Sequence, residues 1–290
     1  MNLTDIGVVK RLMARHGIAF QKKFGQNFLI NPTVPDRIAA ECGASPEDAI
    51  LEIGPGIGTM TQYLAEAYEK VVCVEIDRAL IPVLSETLAD YDNVTVIEGD
   101  ILKIDLEALF KEHFAGKRVT VCANLPYYIT TPILMRLLES RLPFDNITVM
   151  IQKEVADRLA APAAHAEYGA VTASVSYYAH VQKLFNVGAG NFLPKPKVDS
   201  AVVRLELYKT PPVSVMDEAM LFRVIRAAFG QRRKTLVNAL SAGMGDFTKD
   251  EIASVIREVG FADDIRGERL DIAAFALLAD KFTVLKEQKN

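Results

Sequence analysis

The sequence predicts a doubly wound α/β domain carrying a C-terminal strand hairpin, followed by a small all-helical domain. Short β-rich runs alternate with helix-period segments through the first two thirds of the chain, the pattern of βαβ units on a parallel sheet. A glycine-rich turn follows one of the earliest runs, and beyond Pro211 and Pro212 strand patterning gives way to helical patterning.

The expected sheet strands are Ile50–Ile53, Val71–Ile76, Val94–Glu98, Val119–Ala123 and Ile147–Ile151, with helices at Met60–Tyr68, Arg78–Ala89 and Pro132–Ser140 between them. Ala179–Val187 and Ala201–Leu207, joined by a Pro-rich loop, are expected to add a hairpin at the sheet edge. The adjacent prolines break regular structure and remove backbone donors, so the domains are set at 1–208 and 209–290, with a basic arm over about 1–30. In the second domain Asp217–Phe229, Lys234–Ser241, Lys249–Val259 and Asp271–Phe282 carry apolar residues at i, i+3, i+4 spacing, as a small bundle requires.

With 290 residues, 50% of them hydrophobic, the chain has enough apolar side chain for a sizeable core. Its apolar runs, such as Val71–Val74 and Val119–Ala123, are of strand length, so no membrane span is expected. Lys10, Arg11, Arg15 and His16 interrupt the start of the chain, which argues against a secretory signal and for the cytoplasm. Cys42, Cys73 and Cys122 lie far apart and the four histidines lack ligand spacing, so neither a disulfide framework nor a metal site is expected.

The net charge of -4 hides two acid-free basic segments. Lys10, Arg11, Arg15, Lys22 and Lys23 lie between Ile6 and Pro35, and Arg223, Arg226, Arg232, Arg233 and Lys234 between Leu221 and Gly245. Each reads either as a solvated face or as a surface that tracks phosphates.

The stretch Glu52-Ile53-Gly54-Pro55-Gly56-Ile57-Gly58 ends the first sheet strand and opens a helix. Gly54 and Gly56 let the backbone turn sharply and approach a ligand. The spacing is neither the G-x-G-x-x-G dinucleotide fingerprint nor a phosphate loop. Glu75 ends the next strand, 21 residues beyond Gly54, where a carboxylate can accept hydrogen bonds from both ribose hydroxyls. Asp100 follows the third strand and can accept from an adenine amine. Singly, these features also read as a tight turn and as helix caps; together, at strand carboxyl ends, they point to a nucleoside-type cofactor.

Asn124-Leu125-Pro126-Tyr127 ends the fourth strand. An aromatic amine is a poor nucleophile because its lone pair is delocalised, so it needs acceptors that hold its hydrogens. The Asn124 side chain and the Leu125 carbonyl supply two, Pro126 shapes the turn, and Tyr127 can stack on an extruded base. A methyl on a sulfonium has a good leaving group, so orientation suffices without a strong base.

These motifs, with Phe24-Gly25-Gln26-Asn27-Phe28-Leu29, Gly99-Asp100-Ile101 and Phe192-Leu193-Pro194-Lys195-Pro196-Lys197-Val198-Asp199-Ser200, resemble the KsgA/RsmA family of small-subunit ribosomal RNA adenine dimethyltransferases over essentially the whole chain. The resemblance implies a Rossmann-like methyltransferase sheet, S-adenosylmethionine as cofactor with S-adenosylhomocysteine as product, and no metal. It implies dimethylation of two adjacent adenosines in a hairpin near the 3' end of 16S rRNA, within the immature small ribosomal subunit, by a monomer. Its cofactor positions fall on Asn27, Leu29, Gly54, Gly56, Glu75, Asp100, Ile101 and Asn124, and Phe192 matches its second aromatic near the target adenine.

Three other readings stand beside this one: a large-subunit RNA methyltransferase with a similar pocket, a DNA adenine methyltransferase, and an assembly factor that chiefly binds. The extended helical domain with Phe229-Gly230-Gln231-Arg232-Arg233-Lys234 favours the small subunit, Asn124 disfavours the DNA enzyme, and the complete cofactor motif set disfavours simple binding.

Overall fold

The computed structural model describes residues 1–18 and 27–289. Along the chain run α1 (Ile6–Arg15), β1 (Phe28–Leu29), α2 (Thr33–Glu41), β2 (Ala49–Ile53), α3 (Thr59–Ala67), β3 (Lys70–Glu75), α4 (Ile81–Thr87) and β4 (Val94–Glu98). Then follow α5 (Leu106–His113), β5 (Val119–Asn124), α6 (Thr130–Glu139), β6 (Phe144–Gln152), α7 (Lys153–Leu159), α8 (Ala170–Val175), β7 (Ala179–Val187), β8 (Phe192–Leu193) and β9 (Ser200–Leu207). Helices α9 (Glu218–Gly230), α10 (Leu236–Gly243), α11 (Lys249–Glu258) and α12 (Ile272–Lys289) complete the chain.

Two compact units divide it: Met1–Ala156 with Val181–Leu207, and Asp157–His180 with Tyr208–Asn290. The contiguous division at 208/209 therefore needs one correction, since residues 157–180 cluster with the helical unit. The reason is aromatic packing. Tyr177 and Tyr178 pack on Phe222 of α9 at ring-centroid distances of 5.6 Å, and Tyr168 meets Phe229 at 5.7 Å.

The first unit is built on a seven-stranded sheet in the order β4-β3-β2-β5-β6-β9-β7. Strands β4, β3, β2, β5 and β6 are parallel, and β9 runs antiparallel to β6. The hairpin strands lie side by side as expected, but the later one, β9, joins the sheet and β7 takes the edge. Every residue of β2 is buried, which explains why its residues are apolar on both faces apart from Glu52: a parallel strand covered on both faces has no solvent side to alternate with. The sheet winds outward in both directions from β2 and β5, and their carboxyl ends form the switch point where such sheets bind ligands.

Local chemistry sets the helix ends. Asp5 and Asp105 accept from the backbone N–H of Val8 and Ala108, capping α1 and α5. The single helix expected over Arg78–Ala89 is instead a 3-10 turn, Arg78–Leu80, followed by α4. Pro82 lacks a donor and sits where none is needed, in the first turn of the new helix. Leu3, Val9, Leu12 and Met13 of the α1 region form a core cluster with Phe28, Ile57, Leu80 and Val83.

In the helical unit, α9 buries Met220, Leu221, Val224, Ile225, Ala227 and Ala228. A Cβ at Gly243 would come within 2.7 Å of the Ala227 Cβ, so α10 depends on a glycine to approach α9. No helix among the described residues is long and apolar enough to cross a membrane.

Candidate active site

A cavity opens at the switch point, with about 940 Å³ of space counted out into open solvent at its mouth. Its floor is the β2–α3 turn. Gly54 has φ +69°, a conformation L side chains rarely adopt, and a Cβ there would meet nothing within 4 Å. The position therefore combines a left-handed backbone with open room for a ligand. Gly56, at φ +63°, is crowded instead: a Cβ would lie 3.2 Å from the Phe28 ring.

Two buried carboxylates line the cavity, 0% exposed at Glu52 and 4% at Glu75. Glu75 accepts hydrogen bonds from the backbone N–H of Gly56 at 3.1 Å and of Asp77 at 2.8 Å. Burial raises its pKa, and those two donors oppose the rise. Glu52 is pushed up to about 7, mainly by burial, with Thr61 and Cys73 opposing. Among the described residues its Oε1 and the buried hydroxyl of Thr59 have no hydrogen-bond partner. Unpaired buried polar atoms beside a cavity mark the place of a polar ligand or bound water.

The opposite wall is the β5–α6 loop. The Asn124 amide donates to the Asn27 carbonyl at 3.2 Å, which turns the side-chain oxygen free to accept. The Leu125 N–H donates to the Met150 carbonyl at 3.1 Å, while the Leu125 carbonyl accepts nothing among the described residues. Tyr127 is fixed by a 2.9 Å hydrogen bond to Ser200 at the start of β9. Phe192, 3% exposed, also lines the cavity. It is held by β8, which pairs antiparallel with β1 in the register Phe28↔Leu193 and Leu29↔Phe192. The Ile30 N–H extends that link to the Asn191 carbonyl at 2.9 Å.

Thus Asn27, Leu29, Gly54, Gly56, Glu75, Asn124, Leu125, Pro126, Tyr127 and Phe192 meet in one cavity. Asp100 and Ile101 do not line it. The Gly99 N–H donates to the Glu75 carbonyl at 2.8 Å, which keeps that loop against the end of β3, and Asp100 accepts from its own Leu102 N–H at 3.0 Å. Sequence reasoning assigned no role to Glu52, Phe28 or Tyr128, all of which line the cavity. Glu52 and Phe28 stood inside quoted motifs and Tyr128 beside one, but none had a spacing signal of its own. Phe24, Gly25, Gln26, Lys22 and Lys23 lie outside the described residues.

In the helical unit the five basic residues divide. Arg223 forms a two-pronged pair with Asp246, which lowers the Asp246 pKa and raises that of Arg223. Arg232 donates to the carbonyls of Ala166 and Tyr168 at 2.8 and 2.9 Å. Arg226, Arg233 and Lys234 are exposed and make no ion pair among the described residues. Arg232, Arg233 and Lys234 border a second, shallow cavity with Gly230 and Gln231.

A family model described as ribosomal RNA adenine dimethylase matches residues 17–276. Ribosomal RNA small subunit methyltransferase A of Lachnoclostridium phytofermentans is 51% identical over 271 residues, covering 93% of each chain. The protein of the same name from Alkaliphilus metalliredigens is 45% identical over 269 residues, 93% of this chain and 94% of that one. Among solved structures, a dimethyladenosine transferase from Plasmodium falciparum superposes with a TM-score of 0.72 at 27% identity, covering 90% of this chain and 97% of the other. The 23S rRNA methyltransferase ErmE shares the fold, with a TM-score of 0.67 at 22% identity over 89% of this chain and 100% of its own. A match of this extent, carried by relatives near half identity over nearly the whole length, makes the chain a member of the ribosomal RNA adenine dimethylase family.

Proposed function

We propose that the protein dimethylates the exocyclic 6-amino group of two adjacent adenosines, in a hairpin near the 3' end of 16S rRNA, during small-subunit assembly in the cytoplasm. The observation that carries this reading is the state of Asn124: its amide is already spent on Asn27, leaving a neutral acceptor that faces the cavity shared with Glu75 and the glycine loop.

The cavity fits S-adenosylmethionine. Open room at Gly54 admits a ligand close to the backbone, the buried Glu75 offers a ribose acceptor, and Ile76, 48% exposed at the lining, offers an apolar wall for a base. Glu52, whose Oε1 has no hydrogen-bond partner among the described residues, adds a second polar group to the lining. When bound, S-adenosylmethionine supplies an electrophilic methyl on a sulfonium. Asp100, though outside the lining, is tied to β3 through Gly99 and remains our assignment for the adenine edge, with Ile101 beside it.

The protein's own groups then act on the target. Asn124 Oδ1 and the Leu125 carbonyl accept the two amine hydrogens, which draws the nitrogen lone pair out of conjugation and aims it. Tyr127, immobilised by Ser200, and Phe192 hold the ring of the extruded base. No proton acceptor stronger than an amide is needed, because the amine proton becomes acidic only after transfer. The reading requires no metal. Arg226, Arg233 and Lys234 of the helical unit, whose charges are not consumed internally, are assigned to RNA phosphates, and the protein works as a monomer.

The test is incubation with labelled S-adenosylmethionine and immature small subunits, followed by nucleoside analysis. Dimethyladenosine in the small-subunit RNA is expected. Asn124→Ala should lower transfer about 100-fold or more, as loss of a preorganised polar partner to the transition state does. Label in large-subunit RNA or duplex DNA, or an Asn124→Ala variant of normal rate, would overturn the reading.

A further inference from the structure

We propose that Tyr128 is a stacking platform for the nucleotide adjacent to the target on the same RNA strand. The inference rests on the reading above, in which the cavity receives an extruded adenine. Four rings line the cavity, and three are already engaged or enclosed: Phe28 is 6% exposed, Phe192 is 3% exposed, and Tyr127 is bonded to Ser200. Tyr128 is 62% exposed. Among the described residues no group hydrogen-bonds its hydroxyl and no ring packs on its face.

The loop presents this ring firmly. Leu125 is tied to Met150, the Ile129 N–H and the Thr130 hydroxyl both return to the Pro126 carbonyl at 3.2 Å, and α6 begins at Thr130. From Asn124 to Met135 the sequence has no charged side chain, so this lip has no cation to pair with a phosphate. What it offers is an aromatic face, and the matching chemistry is the face of an unstacked base. Tyr128 directly follows Tyr127, with Cα atoms about 3.8 Å apart, so one strand can lay successive bases at the two rings. A substrate with adjacent adenosines puts a purine, the class with the larger stacking surface, at the lip while its neighbour is in the cavity.

The experiment uses small subunits reconstituted with ribosomal RNA carrying, beside the target adenosine, either a purine or an abasic residue. For the wild-type protein, the abasic substrate should lose about 5- to 150-fold in kcat/KM, the range given by about 1–3 kcal/mol of stacking per base. Tyr128→Ala should lose as much on the purine substrate and show no further loss on the abasic one. Tyr128→Phe and Tyr128→Trp should restore discrimination, and cofactor affinity should be the same in all four proteins. An abasic penalty equal in wild type and Tyr128→Ala would overturn the platform while leaving the proposed activity intact. If wild type transfers no methyl to adenine in either substrate, the underlying reading fails instead. A Tyr128→Ala variant of unchanged kcat/KM on the purine substrate also sinks the proposal, and leaves the ring for a protein contact.

Discussion

The carboxylates of the first unit and the cationic groups of the second lie at opposite ends of the solvation scale. Glu52 and Glu75 are withdrawn from water beside the cavity, whereas Arg226, Arg233 and Lys234 stand in it. A buried acid is held where the strand register puts it, and its ionisation is governed by what surrounds it. A surface cation is governed by whichever acid or carbonyl reaches it first. Asp246 reaches Arg223, and the carbonyls of Ala166 and Tyr168 reach Arg232. Counting charges along a sequence therefore overstates a phosphate-binding surface, and of the two strand-end acids it singles out, Glu75 lines the pocket while Asp100 does not.

The sharpest test of the contrast is Glu52→Gln, read by denaturant unfolding between pH 4.5 and 8. The folded chain keeps a proton on Glu52 up to about pH 7, while an ordinary glutamate releases it near 4.5. Folding thus binds a proton in this window, and wild-type stability should fall as pH rises through it, by up to about 3 kcal/mol. The glutamine variant should lack that part of the slope and be the more stable protein above pH 7. Parallel profiles would mean that burial of Glu52 carries no cost.

A smaller effect is expected on the other side of the comparison. Arg233→Glu combined with Lys234→Glu should weaken small-subunit binding about tenfold or more and flatten its dependence on salt by about two charges, with cofactor affinity preserved. Arg232 is better left in place, because its reversal would also abandon two backbone carbonyls and confuse folding with binding. An unchanged salt slope would remove this surface from the RNA interface.

The smallest effect belongs to Arg223→Met. Its pair with Asp246 is partly exposed, 32% and 40% at the two side chains, so the loss of stability should be no more than about 1 kcal/mol and RNA binding should barely move. A binding loss as large as that of the Arg233 and Lys234 reversal would show that the pair opens to meet phosphate.

These differences also explain what could be read from the sequence. The run Val94–Glu98 is a strand with those bounds, and Glu75 and Asn124 end strands as their spacing requires. Period-two and period-3.6 patterns report local geometry, and a parallel sheet converts local geometry into position. Residues 157–180 were not legible in this sense. Their buried tyrosines look alike whether they serve a sheet or a bundle, and only the meeting of Tyr177 and Tyr178 with Phe222 decides it. Asp100 shows the same limit: it follows a strand on schedule, yet its carboxylate turns to its own backbone. The arm residue Phe28 had no periodic neighbours to interpret, because its partner strand comes from the far side of the sequence.

That two-residue pairing changes what the start of the chain is for. Residues preceding a doubly wound domain are ordinarily the first to be trimmed when a protein is shortened for convenience. Here Asn27 satisfies the amide that orients Asn124, Phe28 packs over the glycine turn, and Leu29 braces the segment bearing Phe192. A protein cut back to residue 31 would keep its sheet and most of its core while losing the arm that links the Asn124 side chain, the glycine turn and the Phe192 segment.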